Sequence, residues 1–234
     1  VYKRQIGYYC NPIQYAEHRK TLENVICTAG KFGATHVSTF AGAWEGKPVE
    51  SAYEEFGKVF RELADLAEEK GVKLGIENCL MDGTWEHATC NIGFNPKAWE
   101  VMFEEVKNDN FGLEWEPTHQ MVQLIDPVTE LRKWCKKIVH IHGKDATIDW
   151  DAVRHSGISG AVPFVWHRMP GFGDTNWRDI ISILRSNGYE DDICIEGYHD
   201  PVYSGELEMT GQLHALNYLK WCRGGDFTPT PWAK

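Results

Sequence analysis

The sequence predicts an α/β fold in which parallel strands are joined by crossover helices, and it favours a closed β/α barrel over an open sheet. Short β-rich runs alternate with amphipathic helical stretches along the chain, as parallel strands connected by helices require. No glycine-rich G-x-G-x-x-G or P-loop motif follows the first strand, although an open nucleotide-binding sheet would often show one. Polar residues that could bind a ligand fall at the carboxyl ends of several strands, where a barrel gathers its chemistry.

Six runs are predicted to be strands, because each is a short β-rich segment followed by a loop and then a helical stretch. In chain order they are residues 6–10, 35–40, 72–78, 112–117, 137–143 and 192–197.

The segments between these strands have the apolar spacing of amphipathic helices. In residues 17–33, Leu22, Val25 and Ala29 recur at helical intervals, and the segment ends in glycine, which commonly terminates helices. Residues 51–71 show the same pattern. Further helices are predicted at residues 96–107, 127–137, 177–187 and 207–222.

Four residues at strand ends are the main argument for a barrel. They are Glu77, Glu116, His142 and Glu196. A barrel gathers strand ends around one mouth, whereas an open sheet would spread them along a line. The difficulty is the count, because six βα units are recognised and a closed barrel has eight.

Composition limits the class of protein. The chain has 234 residues, which we interpret as one domain spanning residues 1–234. No long apolar run and no secretion signal are evident, so we expect no membrane span. Seven cysteines without a C-x-x-C spacing fit free thiols in a reducing cytoplasm. A net charge of −10 argues against nucleic-acid binding, which needs a basic surface.

The run KIVHIHGKD, residues 137–145, places two histidines on the same face of one strand. Together with the three strand-end glutamates, His142 would form a site of mixed oxygen and nitrogen donors. Such a donor set suits Mn²⁺, Mg²⁺, Co²⁺ or Zn²⁺. His140 is interpreted as a supporting or core residue. Lys144 and Asp145 are expected to form a salt bridge at the rim, and Lys144 is a weaker candidate for neutralising an enediolate.

The chain resembles the xylose isomerase-like TIM barrels, a family of sugar phosphate isomerases and epimerases that includes hydroxypyruvate isomerase, inosose dehydratase and ketose 3-epimerases. The resemblance covers nearly the whole chain. It rests on the segments KLGIEN, GLEWEPTHQMVQLIDP, KIVHIHGKDATIDW, WHRMPGFGDTNWRDII and DICIEGYHDP. It implies a (β/α)8 TIM barrel and a divalent metal held by four ligands, Glu77, Glu116, His142 and Glu196.

The resemblance also implies that His119 and Arg168 hold substrate oxygens, a carboxylate or a phosphate. One residue departs from the family, which usually has aspartate where Glu116 stands. The extra methylene moves the carboxylate by more than an ångström, so Glu116 could reach the metal, bind it differently or hold it more weakly.

The activity expected is isomerisation or epimerisation of a small sugar or keto-polyol by metal-assisted proton transfer next to a carbonyl, through an enediolate. Glu77 and Glu196 would be the two catalytic bases. Trp115 and Trp166 could pack on a sugar face, although core packing is the commoner role of tryptophan.

Three alternatives stay open. The same metal and bases would serve a lyase that dehydrates a keto-inositol or acts on a 3-keto-glycoside. Apurinic endonuclease shares the fold, but the acidic charge and the glutamate-rich site speak against it. The chain could also be a non-catalytic relative that acts as an interaction protein, and a homo-oligomer is among the states that the sequence allows.

Family members usually begin with two further βα units before a strand such as IGYYC. The opening residues VYKRQ look like translated adapter sequence. We therefore expect an N-terminally truncated barrel of about six βα units, with exposed strands near residues 6–10 and 192–197.

Overall fold

The structure, a computed structural model, describes residues 4–226 and 228–231. Residues 1–3 of the opening segment lie outside this range. The chain separates into two compact units. The first comprises Val1–His142 with Asp191–Ile193, and the second comprises Gly143–Glu190 with Cys194–Lys234. That the whole chain acts as one domain stays a prediction.

The six predicted strands are confirmed, and two more are present in the described residues. In chain order the strands are β1 (Gln5–Gly7), β2 (His36–Thr39), β3 (Lys73–Glu77), β4 (Phe111–Trp115), β5 (Ile138–Gly143), β6 (Asp145–Ile148), β7 (Val165–Arg168) and β8 (Ile193–Ile195). The main sheet has six strands in the order β1-β2-β3-β4-β5-β8. From β1 to β5 each strand is parallel to the next, as the alternation with helices predicts.

The six predicted helices are also confirmed, with bounds that differ by a few residues. The helices are α1 (Ala16–Ala29), α2 (Tyr53–Glu69), α3 (Pro96–Glu105), α4 (Pro117–Met121), α5 (Pro127–Trp134), α6 (Trp150–Ser156), α7 (Trp177–Ser186) and α8 (Glu208–Cys222). The sequence did not predict α4 or α6, which have five and seven residues. Such short helices contain too few turns to show a hydrophobic period. No helix in the described part of the chain is both long and apolar enough to cross a membrane.

Asparagine and aspartate begin four of these helices. The side chains of Asn95, Asp126, Asp149 and Asn176 each accept a hydrogen bond from a backbone N–H of the first turn. That bond satisfies a donor that has no partner within the helix, and it contributes about 1 kcal/mol per cap. The caps fix the points at which each loop becomes helix.

An apolar stripe on α2 forms much of the core of the first unit. Phe56, Phe60 and Leu63 are completely or almost completely buried. The Phe56 and Phe60 rings lie 6.3 and 6.0 Å from the ring of Phe111 on β4. Burial of each such side chain contributes about 1.5–3 kcal/mol, so this contact holds the helix against the sheet.

Glycines allow strands β3, β4 and β5 to approach closely. Gly75 and Gly112 are register partners on β3 and β4. A Cβ added at Gly112 would lie 2.2 Å from the backbone oxygen of Lys137 and 2.7 Å from a methyl group of Val139. This close approach positions the amino end of β5 next to β4.

Basic groups surround Asp191 at the amino ends of the strands in the first unit. Lys73 Nζ lies 2.7 Å from Asp191 Oδ2, His36 Nε2 lies 3.5 Å from the same oxygen, and Arg4 Nη1 lies 4.0 Å from Oδ1. Lys73 and His36 are the first residues of β3 and β2, and Arg4 directly precedes β1. This cluster is therefore at the end of the sheet opposite to the predicted site.

The second unit contains an antiparallel ribbon that the sequence did not predict. Strands β6 and β7 pair with Asp145 opposite Arg168. Asp145 is buried, and its carboxylate accepts hydrogen bonds from the backbone N–H groups of Ala146, Gly171 and Thr175. It thereby holds the loop that follows β7 against the start of β6.

Candidate metal centre

Three of the four predicted ligands meet in the first unit. Glu77 is the last residue of β3, Glu116 directly follows β4, and His142 is the second-to-last residue of β5. His142 Nδ1 lies 3.3 Å from Glu77 Oε1 and 3.8 Å from Glu116 Oε2. One ligand atom from each of the three side chains lies within 4.8 Å of the others. Parallel strands produce this arrangement because their carboxyl ends meet at one edge of the sheet.

The three side chains are almost completely buried, and this affects their charges. Glu77, Glu116 and His142 are 7%, 0% and 8% exposed. Burial raises the pKa of Glu77 to about 7, and the negative charges of Glu116 and Glu114 add to the effect. Like charges held together away from water are costly unless a cation joins them. The donor set, its burial and its concentrated charge therefore fit a divalent cation.

Two asparagine side chains fix the backbone of the site near the carboxyl end of β3. Asn78 is completely buried, and its amide both accepts from the N–H of Glu116 and donates to the backbone oxygen of Glu116. Asn91 donates to the backbone oxygen of Glu77 at 2.9 Å. These bonds fix the backbone of both glutamates.

His119, predicted to bind substrate, lies beside Glu116. It is on α4, three residues after Glu116, and its Nε2 is 3.4 Å from Glu116 Oε1. Glu77, Cys79 and His119 also offer ligand atoms within 4.8 Å of one another. His119 is therefore close enough to touch a molecule bound at the three ligands, and its role in substrate binding stays a prediction.

Glu114 is part of this cluster, although the sequence analysis did not predict it. It is completely buried, and its Oε1 lies 3.1 Å from His142 Nε2. Its carboxylate also accepts hydrogen bonds from Tyr9 and Gln5 of the first strand region. Burial alone would raise the pKa of Glu114, but the contact with His142 brings it below its ordinary value. Alternation along the run LEWEP puts Glu114 on the same face as Glu116, but it does not show which residues Glu114 contacts.

His140 is buried one pleat away from His142, as expected of a supporting or core residue. Its ring lies 5.5 Å from that of His36 and 5.7 Å from that of His142. Burial lowers the pKa of His140 to about 4, and the nearby His142 and His36 contribute in the same direction. Above that pH the His140 ring is neutral.

Glu196 and Arg168 belong to the second unit. Glu196 directly follows β8, and its Oε1 lies 3.1 Å from Lys144 Nζ. Arg168 is the last residue of β7, where its Nε lies 3.4 Å from Asp200 Oδ2 and its guanidinium lies 5.8 Å from the centre of the Phe172 ring. Glu196 as fourth ligand and base, and Arg168 as substrate ligand, stay predictions.

The salt bridge expected between Lys144 and Asp145 at the rim is not among the contacts of the described residues. Both residues are buried, Lys144 contacts Glu196, and the Asp145 carboxylate accepts backbone hydrogen bonds. A charged pair in the sequence does not show which side chain turns inward.

Trp115 is completely buried and donates from Nε1 to Gln120, so it is a core residue, whereas Trp166 is 44% exposed.

Comparison with known proteins agrees with this architecture. The xylose isomerase-like TIM barrel family matches residues 9–220. A curated relative, inosose dehydratase of Clostridium tetani, is 26% identical over 182 residues, which cover 76% of this chain and 57% of the relative. The chain thus spans somewhat more than half the length of this relative.

Two solved structures have a similar fold. A xylose isomerase domain protein from Planctomyces limnophilus has a TM-score of 0.69 at 20% identity, covering 92% of this chain and 68% of its own. An IolI protein with a bound zinc atom has a TM-score of 0.64 at 21% identity, covering 93% and 72%. The family match extends over most of the sequence, from the first strand region to the last helix. The chain therefore belongs to the xylose isomerase-like TIM barrel family.

Proposed function

We propose that this protein is a divalent-metal-dependent enzyme that removes a proton from a carbon next to a carbonyl group in a small sugar or keto-polyol. The observation that carries the proposal is the convergence of Glu77, Glu116 and His142 at the ends of three neighbouring strands. Two carboxylates and an imidazole are donors that Mn²⁺, Mg²⁺, Co²⁺ and Zn²⁺ accept. The zinc atom in the IolI structure is of the same class of ion.

In this proposal Glu196 is the fourth ligand. A bound cation would polarise the substrate carbonyl and stabilise negative charge on its oxygen. Glu77 removes the proton, and Glu196 is the second base. Glu196 Oε1 lies 3.1 Å from Lys144 Nζ, and this contact would hold its carboxylate in one orientation. His119 and Arg168 would donate hydrogen bonds to substrate oxygens, which orients the carbon for proton removal.

Two reactions can follow proton removal. Loss of a neighbouring hydroxyl as water is dehydration, whereas return of the proton gives an epimer or, at the adjacent carbon, an isomer. Several curated relatives at 23–27% identity are named inosose dehydratase, and this favours dehydration of a cyclic keto-polyol as the reaction to test first. Epimerisation or isomerisation is the second candidate, and the fold of L-ribulose 3-epimerase is similar to this chain.

The experiment is a proton NMR screen of keto-inositols and ketoses in D₂O with purified protein and Mn²⁺. Deuterium at the carbon next to the carbonyl without loss of water would show epimerisation or isomerisation, and a new enone signal would show dehydration. Glu77→Gln and protein treated with a chelator are the negative controls.

A non-catalytic relative is the competing hypothesis. Metal analysis and Mn²⁺ titration of the purified protein separate the two cheaply. If wild-type protein binds no divalent cation at micromolar to millimolar concentrations, the proposed function is wrong.

Partners and location follow from the same proposal. The ligand would be a small molecule, and a net charge of −10 offers no general attraction to nucleic acid. A cytoplasmic location is proposed because the seven cysteines show no paired spacing. A homo-oligomer is one state to test by light scattering.

A further inference from the structure

The imidazole of His142 has a carboxylate on each side. Its Nδ1 faces Glu77 and Glu116, and its Nε2 lies 3.1 Å from Glu114 Oε1. A neutral imidazole carries one proton, so one nitrogen donates and the other is left with a lone pair. Only the nitrogen with the lone pair can bind a cation. Which side of His142 holds the proton therefore decides whether it can act as a ligand.

Neighbouring hydrogen-bond donors orient the carboxylate of Glu114. Tyr9 donates its hydroxyl to Glu114 Oε2 at 2.8 Å, and Gln5 donates its amide to Oε1. Gln5 also donates to the Tyr9 hydroxyl at 3.2 Å. These bonds hold both oxygens of the carboxylate, and the oxygen that accepts from Gln5, Oε1, is the one that faces His142.

The other histidine of β5, His140, does not compete for this acceptor. His140 Nε2 lies 4.0 Å from Glu114 Oε1, which is beyond hydrogen-bond distance. His142 is almost one ångström closer to the same oxygen. The carboxylate is thus directed to the histidine whose other nitrogen faces Glu77 and Glu116.

We propose that Glu114 is a positioning residue that keeps the proton of His142 on Nε2 and so presents Nδ1 to the metal. This inference rests on the proposed metal site and specifies how this chain prepares one of its ligands. A carboxylate behind a ligating histidine orients the ring and increases its basicity. Tyr9 and Gln5 hold the carboxylate of Glu114, so residues in and just after β1 also help to orient the His142 ring.

The test combines histidine ¹⁵N NMR on metal-free protein with Mn²⁺ titration, and the NMR spectra are recorded over a range of pH so that the neutral form of the His142 ring is identified from the spectra themselves. Nitrogen shifts distinguish a protonated from a bare ring nitrogen, and His142→Gln assigns the signals. Wild-type protein should have the proton on Nε2 of His142. In Glu114→Gln the amide can present either its oxygen or its NH₂ group, so the Nε2–H form should lose its dominance. Mn²⁺ affinity should fall about 10–100-fold, as for other partners behind a ligand.

Glu104→Gln is the matched control, because Glu104 is exposed and contacts Lys107 on the surface. It should change neither measurement. Tyr9→Phe is the second variant if Glu114→Gln does not fold, and it should weaken Mn²⁺ binding by a smaller factor. A proton on Nδ1 in metal-free wild-type protein would overturn the proposal. So would a Glu114→Gln protein with the wild-type tautomer and an Mn²⁺ affinity within twofold of wild type. Wild-type protein that binds no Mn²⁺ refutes the proposed function, whereas the tautomer still decides the role of Glu114.

Discussion

Asn78 and Glu116 hold each other through two hydrogen bonds. The N–H of Glu116 donates to Asn78 Oδ1 at 2.7 Å, and Asn78 Nδ2 donates to the backbone oxygen of Glu116 at 2.9 Å. Asn78 directly follows β3 and Glu116 directly follows β4, so this pair ties together the carboxyl ends of two strands. The distance between two predicted ligands, Glu77 and Glu116, therefore depends on a residue that is not itself a predicted ligand.

Asn78→Ala is expected to destabilise the protein and to weaken metal binding. Removal of the amide leaves a buried N–H and a buried carbonyl without their partner, which costs about 1–3 kcal/mol. Urea unfolding measures the loss of stability, and Mn²⁺ titration measures the loss of affinity. Asn24→Ala, at an exposed position of α1, should leave both near wild type. Wild-type stability in Asn78→Ala would contradict the pairing.

Glu77→Gln should make the metal-free protein more stable and remove its response to metal. Burial and two neighbouring carboxylates raise the pKa of Glu77 to about 7, so its ionised form is costly when no cation is bound. A neutral amide removes that cost. Wild-type protein should gain about 2.7 kcal/mol at a Mn²⁺ concentration 100 times the Kd, and the variant should gain little. Thermal unfolding with and without Mn²⁺ measures both effects, and equal stabilisation of the two proteins would exclude Glu77 as a ligand.

Glu196→Gln should greatly slow turnover while substrate still binds. The amide keeps the shape and one oxygen but loses the basicity, so the rate should fall by about 10²–10⁴. Metal affinity should also fall, and saturating Mn²⁺ should restore occupancy without restoring rate. Glu206→Gln, at an exposed position of the same unit, is the control. Near-normal turnover of Glu196→Gln at saturating Mn²⁺ would mean that another group is the second base.

Gly112→Ala should be among the most damaging single-methyl additions in the sheet. The new Cβ would lie 2.2 Å from the backbone oxygen of Lys137, and a backbone atom cannot move aside as a flexible side chain can. Overpacking of this kind costs about 1–3 kcal/mol or more. Gly30→Ala is the matched control, because Gly30 has helical φ and ψ angles and nothing within 4 Å of an added Cβ. That change should be neutral or stabilise by up to about 1 kcal/mol in the same unfolding experiment.

His36 should contribute less to the stability of the folded protein as the pH falls below about 6.5. Burial lowers the pKa of His36, so the unfolded chain binds a proton at this residue at a higher pH than the folded chain does. When the unfolded state binds more protons, the free energy of unfolding falls with falling pH, by at most about 1.4 kcal/mol per pH unit for one group. His36→Gln should flatten this dependence, and exposed His87→Gln should not. Urea unfolding between pH 5 and 8 makes the comparison, and an unchanged slope in His36→Gln would refute the assignment.

The order of strands and helices could be predicted from the sequence because the helical segments show a clear apolar period and the strands are short β-rich runs. The stripe on α2 repeats over several turns, and the strands are bounded by loops. The β6–β7 ribbon could not be predicted in the same way. Each of its strands has four residues, and 16 residues separate them, including helix α6. Too few alternations are present for a period, and the register depends on the buried contacts of Asp145.

The candidate site could be predicted only in part, for a related reason. Glu77, Glu116 and His142 are all at or beside strand ends, where parallel topology alone brings them together. Glu114 is inside β4, and no role can be assigned to a glutamate at that position until its contacts are known. Those partners, Tyr9 and Gln5, are 105 and 109 residues away in the chain. Neither period nor spacing in a single sequence connects residues so far apart.

The Asp191 cluster has a consequence for how this sequence can diverge. Its members, Arg4, His36 and Lys73, are at the amino ends of the strands, whereas the candidate ligands are at the carboxyl ends. In barrel folds substitutions at the amino ends act on stability, and those at the carboxyl ends act on chemistry. Natural drift or laboratory evolution can therefore change the stability of the scaffold at one end while a new substrate preference is selected at the other. Lys73 and Glu77 are at opposite ends of β3, about 13 Å apart at about 3.3 Å per residue, so the free energies of substitutions at these two positions should add.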